Sequence, residues 1–196
     1  MAINNDGPES QDSKVVLILA TSDIDQAVTY THQVLLPNTS TTRILVHTSI
    51  HDLFLQSLLD AIEASQTHIP DIDTIPEITE ENLQRIHDLA TSAREQGAKV
   101  VTGGIPPVRG NLGGFFERPM VVDGVRPEMG LFREGVTGPL ATVTTFDEED
   151  ELIPWVNEIL TGAEVVVFAD DGDEARKLAA EIQSVPVHVN AEATKT

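Results

Sequence analysis

The run VVLILA, Val15 to Ala20, passes directly into TSDIDQAVTYTHQVLL, Thr21 to Leu36, and this junction decides how the chain folds. Six unbroken aliphatic or small apolar residues suit a strand buried on both faces, since a half-exposed strand alternates. Asp23 or Ser22 can then cap a helix whose apolar residues Ile24, Ala27, Val28 and Val34 fall at roughly helical spacing. A fully buried strand that hands on to an amphipathic helix is the first half of a βαβ unit.

Outward from that junction the alternation repeats. RILVH (Arg43 to His47) reads as a second strand. TSIHDLFLQSLLDAIEAS follows as a helix with apolar positions at Ile50, Leu53, Phe54, Leu58 and Ile62. THIPDIDTIPEITEEN, rich in Pro and Asp, reads as an exposed connector. Thr79 before Glu80, Glu81 and Asn82 marks a helix start, and LQRIHDLATSAREQG stops at Gly97. AKVVTGG is a short strand closed by Gly103 and Gly104, and IPPVRGNLGG a turn-rich loop. FFERPMVVDGV is extended, and LATVTTF (Leu140 to Phe146) is a strand. DEEDELIPWVNEIL is a helix whose acidic start suits the positive end of its dipole, with Pro154 early enough to be tolerated. EVVVFAD, GDEARKLAAEIQS and VPVHVNA complete the pattern as strand, helix and strand. The expected fold is an α/β domain with a mostly parallel sheet flanked by helices. Residues 1–13 are expected to be a flexible tail, 14–190 one domain and 191–196 a second tail.

The chain has 196 residues, 40% of them hydrophobic, enough for one domain with a real core. Its 32 acidic against 12 basic residues give a formal charge of −20, which repels phosphate backbones and anionic lipid. Nucleic acid and membrane surfaces are therefore not expected partners. The polar start carries neither the basic nor the apolar stretch of a secretory signal, and no apolar run nears the ~20 residues of a membrane span. A cytoplasmic location is the expectation. With no cysteine there is neither a disulfide framework nor a thiolate metal site.

His32, His47, His51, His68 and His87 show no metal-binding spacing on one helix and read as surface or structural histidines. The acidic clusters Glu148 to Asp150 and Asp170 to Ala175 lack the calcium-loop arrangement and suit helix capping. The glycine-rich loop lacks G-x-G-x-x-G between a strand and a helix, so it is no phosphate cradle. Phe115 and Phe116 read as core or pocket wall. Neither a cofactor nor a metal is expected.

From Ser13 to Asn190, several segments in order resemble the catalytic domain of the aldehyde dehydrogenase superfamily. LILATSDIDQAV is similar to the segment before the family's nucleophile, and TRILVHTSIHDLFLQSLLDAI to the segment after it. LQRIHDLATSAREQGAKVVTGG resembles the helix and strand that end in GAK-x-x-x-GG. GGFFERPMVVDGV and REGVTGP resemble G-x-F-x-x-P-T-V and E-E-x-F-G-P, and VPVHVN resembles the closing strand ending in V-x-V-N.

The departures bear on function. The resemblance implies a cysteine in a G-Q-x-C loop, where this chain has HQVLLPNTSTT. It implies a general-base glutamate in E-L-G-G-K, where PESQDSK offers only Glu9. It implies a glutamate on the nicotinamide ribose and a phenylalanine beside the cofactor, where Gly135 and Thr137 stand. The family's NAD(P)-binding domain and its oligomerisation strands are not found in these residues. A thiolate attacks near neutral pH as an unassisted hydroxyl does not, so dehydrogenase chemistry is not expected.

Two functions are expected in its place. The first is a repurposed non-redox enzyme of isomerase or cyclase type, including cycloaddition. Its substrate would be a carbonyl-bearing lipophilic small molecule, held by pre-organisation and polarised by hydrogen bonds. Asn38, Thr39, His188 and Asn190 are the candidate catalytic groups, His188 standing where the resemblance places a tryptophan. The second is a non-catalytic binding or scaffolding subunit. The terminal VPVHVN strand leaves a sheet edge through which a homo-oligomer could form.

Overall fold

The computed structural model describes residues 13–35, 41–65, 79–103, 108–109, 115–116, 119–134, 136, 138, 140–159, 163–182 and 186–190. Both expected tails, apart from Ser13, and most of the 67–82 connector lie outside them. The strands are β1 (Lys14–Ile18), β2 (Thr41–His47), β3 (Lys99–Thr102), β4 (Val108–Arg109), β5 (Phe115–Phe116), β6 (Met120–Asp123), β7 (Leu140–Phe146), β8 (Glu164–Phe168) and β9 (Val187–Val189). The helices are α1 (Ile24–Leu35), α2 (His51–Ser65), α3 (Glu80–Glu95), α4 (Gly130–Arg133), α5 (Leu152–Ile159) and α6 (Gly172–Glu181).

Seven strands form one sheet in the order β3-β6-β7-β2-β1-β8-β9, and β4 and β5 pair separately. Every neighbouring pair in the large sheet is parallel except β3 with β6. A parallel return needs a crossover, usually a helix. Between β3 and β6 the described chain instead forms the β4–β5 antiparallel pair, and β6 runs back against β3. The stretch 105–114 thus contains a strand where a loop was expected. The extended segment 115–125 is split into β5 and β6.

Alternation along β1 builds two cores. Val15, Leu17 and Leu19 join the cluster made with α3 to α6, while Val16 and Ile18 join the cluster under α1 and α2. Each buried aliphatic side chain of this size contributes about 1.5–3 kcal/mol. Helix starts follow the sequence cues closely. Asp23 Oδ1 accepts from Gln26 N at 3.1 Å, which settles the α1 cap, while Ser22 Oγ donates to Phe168 O at 2.6 Å. Thr79 Oγ1 accepts from Asn82 N at 3.2 Å, and α3 closes at Gly97 with φ of 104°. Helices α2 and α5 begin later than expected because 3-10 turns, 48–50 and 149–151, precede them.

Leu17 is fully buried in β1, an interior strand of the sheet. Leu17→Ala is expected to cost about 2–5 kcal/mol of unfolding free energy, read by urea denaturation. A loss under 1 kcal/mol, on the order of a surface change, would place β1 outside the core.

Candidate functional site

Two of the most aliphatic strands are each headed by a charge: KVVLI begins with Lys14 and EVVVF with Glu164. Parallel pairing sets Lys14 directly opposite Glu164. Lys14 Nζ donates to Glu164 Oε2, and the other carboxylate oxygen, Oε1, lies 3.4 Å from His188 Nε2. His188 reaches it from β9, where it pairs with Val166, two residues along β8. The three side chains line the N-terminal ends of β1, β8 and β9 and are only partly shielded, with 29, 37 and 53% of side-chain surface exposed for Lys14, Glu164 and His188.

Tyr30 adds a fourth polar group from α1. It is buried to 8% exposure, with its ring centroid 5.5 Å from that of Phe168. Burial, and secondly the Glu164 charge, push its phenol up to about 12. Tyr30 therefore stays a neutral hydroxyl at any physiological pH.

On the opposite face of the sheet from this cluster, Thr41 and Arg43 of β2 turn into the interior. Thr41 Oγ1 donates to Val136 O at 2.8 Å and accepts from Val136 N at 3.1 Å. Arg43, 2% exposed, donates from Nε to Phe132 O at 2.6 Å and lies 3.4 Å from Arg133 O through NH2. Burial draws its guanidinium down to about 10, still charged at neutral pH. These carbonyls end the short helix α4, so a buried cation meets partial negative charge without a carboxylate. Together Thr41 and Arg43 fasten Phe132, Arg133 and Val136 across the start of β2.

Of the four residues singled out from sequence, His188 lies in the polar cluster. Asn190 does not join it. At φ of 46°, its amide accepts from Ala169 N at 3.0 Å and donates to Ala169 O at 2.8 Å, tying β9 to the end of β8. Asn38 and Thr39 lie outside the described residues, as do Glu9, Gly135 and Thr137. Lys14, Glu164 and Tyr30 were missed. A signal was present, since a charge at the head of each aliphatic run becomes a pair if those strands are neighbours.

His47 and His51 are tied into local structure. His47 Nδ1 accepts from Ser49 N at 3.1 Å, and its Nε2 lies 3.1 Å from Asp147 O. His51 sits 2.8 Å from both Asp123 Oδ1 and Asp52 Oδ1; burial lowers its pKa, but the two carboxylates outweigh that and raise it. Among the described residues, no group of three or more His, Asp or Glu side chains is placed to hold a metal ion. No described helix is long and apolar enough to cross a membrane.

The fold and these strand ends define an α/β domain with a polar cluster at the N-terminal ends of its parallel strands. The chain belongs to the aldehyde dehydrogenase family, whose model matches residues 13–196. It is 30% identical over 186 residues to 2-aminomuconic semialdehyde dehydrogenase of Danio rerio, covering 89% of this chain and 38% of that protein. Human aldehyde dehydrogenase 1A1 is 30% identical over 185 residues, covering 89% of this chain and 36% of the relative. The structure of lactaldehyde dehydrogenase from Escherichia coli superposes with a TM-score of 0.75 at 22% identity, over 93% of this chain and 40% of that one. Betaine aldehyde dehydrogenase from Staphylococcus aureus, solved with NAD+, gives 0.73 at 26% identity, over 94% and 38%. The chain thus spans under two fifths of the length of the two full relatives named here.

Glu164 is one of the two causes that raise Tyr30. Glu164→Gln is expected to bring the phenol's pKa below about 12 while burial holds it above 10. Near-ultraviolet absorbance reads this directly, because the chain has a single tyrosine. Far-ultraviolet circular dichroism recorded alongside separates titration from unfolding. An unshifted titration would remove Glu164 from the surroundings of Tyr30.

Proposed function

We propose that this chain is a repurposed member of its family, a cofactor-independent isomerase or cyclase. Its substrate is a carbonyl-bearing lipophilic small molecule. The observation that carries the reading is the contact of one carboxylate, Glu164, with both His188 and Lys14. A carboxylate facing His188 Nε2 favours the tautomer with its proton there, leaving Nδ1 as the base. His188 Nδ1 removes a proton from the carbon beside the carbonyl, and the electron pair moves onto the carbonyl oxygen. The Lys14 ammonium, with donors left beyond its bond to Glu164, stabilises that oxygen. Where a C=C stands one carbon further on, His188 returns the proton to the far end of the dienolate and the double bond moves into conjugation. Where a second carbonyl stands in the same molecule, the enolate carbon adds to it, its π pair moves onto oxygen and His188 returns the proton to that alkoxide. In both cases there is no net electron transfer. Asn38 and Thr39 are further proposed donors to the carbonyl.

Two sequence facts support a non-redox reading. The chain has no cysteine to act as nucleophile. Where the family resemblance implies a ribose-binding glutamate and a cofactor-stacking phenylalanine, Gly135 and Thr137 supply neither carboxylate nor ring. These residues do not fit a nicotinamide. Untargeted mass spectrometry of the source strain, with and without this gene, tests the proposal. A lost product replaced by an accumulated compound of identical mass is expected, and an unchanged metabolite profile contradicts it.

A second reading, a non-catalytic binding or scaffolding subunit, is favoured by β9. Among the described strands it pairs only with β8 and ends the sheet. Self-association of two copies through β9 is then expected in sedimentation. A monomer at high concentration would count against that reading.

A further inference from the structure

A second site is suggested at the other edge of the sheet from His188. A groove of about 510 Å³ runs between the C-terminal half of α3 and β3. Its floor is built from Ala90, Ala98 and Met120, all buried, and the partly buried Val100, with the partly buried His87 beside them. Gly103, with φ of 77°, lets the chain pass so close to Pro119 and Met120 that a Cβ would lie 2.5 Å from Pro119 O. No side chain can stand at that point of the wall. The rim carries Arg94 and Lys99, both exposed.

The charge at that rim is unusual for this chain. With 32 acidic against 12 basic residues, a cation rarely lacks a nearby carboxylate. Lys14, Arg85, Arg126, Arg133 and Arg176 are each ion-paired with Glu or Asp. Arg43 is held by backbone carbonyls, and Lys177 stands exposed on α6. Arg94, Lys99 and Lys177 form no ion pair among the described residues, and Arg94 and Lys99 share one groove. Two uncompensated cations over an apolar floor match one ligand chemistry. A carboxylate can accept two parallel N–H bonds from a guanidinium and a third from an ammonium, while an apolar body covers the floor.

We infer that this groove binds a small amphipathic carboxylate, its head on Arg94 and Lys99 and its apolar body along Ala90, Ala98, Val100 and Met120. The site stands apart from the His188 cluster and does not depend on the function proposed for it. The volume suits a small organic molecule. Inorganic phosphate would satisfy the cations but leave the floor uncovered.

Isothermal titration of the full chain at low salt, with decanoate and separately with inorganic phosphate, tests the inference. Decanoate is expected to bind at least about tenfold more tightly than phosphate. Its affinity is expected to fall about tenfold or more in the Arg94→Gln/Lys99→Gln double variant, as loss of charge-assisted bonds requires. Thr91→Glu, which sets a carboxylate at an exposed rim position, is expected to weaken decanoate likewise without altering the thermal melt. Absence of decanoate binding, equal affinity in wild type and both variants, or phosphate binding as tightly as decanoate would each overturn the assignment.

Discussion

The structure depends on the parallel pairing of β1 with β2 on one side and β8 on the other. A strand with neighbours on both edges and helices over both faces must be apolar along its length, and VVLIL is. That one pairing fixes which helices share a face, since Val15, Leu17 and Leu19 turn to one cluster and Val16 and Ile18 to the other. It also fixes the chemistry at the strand ends. A slip of β1 against β8 by one residue would turn Lys14 to the opposite face and separate it from Glu164.

Much of the fold was legible because its signals are local. Aliphatic runs, N-caps at Asp23 and Thr79, and the stop at Gly97 are written within a few residues of where they act. Register is not local. Lys14 and Glu164 are 150 positions apart, and nothing near either names its partner. Their meeting was therefore invisible until the strand order was known. Asn190 shows the opposite failure. Its side chain can donate anywhere, but its left-handed backbone turns the amide onto Ala169, which only the folded chain reveals. The antiparallel return of β6 was likewise hidden, because short polar connections do not announce the direction of the strands they join.

Burial of charge tells the same story from the interior. Arg43 heads the aliphatic run RILVH and would be expected at a surface. It is held inside by carbonyls at the end of α4, a helix too short to be read from sequence. A guanidinium there contributes orientation more than stability, since an isolated buried charge is costly unless its donors are used. It binds Phe132 and Arg133 on the face of the sheet opposite the polar cluster. Family membership explains the architecture. Function turns on what now stands where the resemblance implies a thiol and a nicotinamide, because function resides in sites rather than in folds.

The most direct test of an acid–base role is solvent deuterium exchange, followed by NMR, at the carbon beside the carbonyl of a medium-chain β,γ-unsaturated ketone. Faster exchange with the wild-type chain than in buffer, abolished by His188→Ala, is the result the account predicts. Equal rates in buffer, wild type and variant would contradict it.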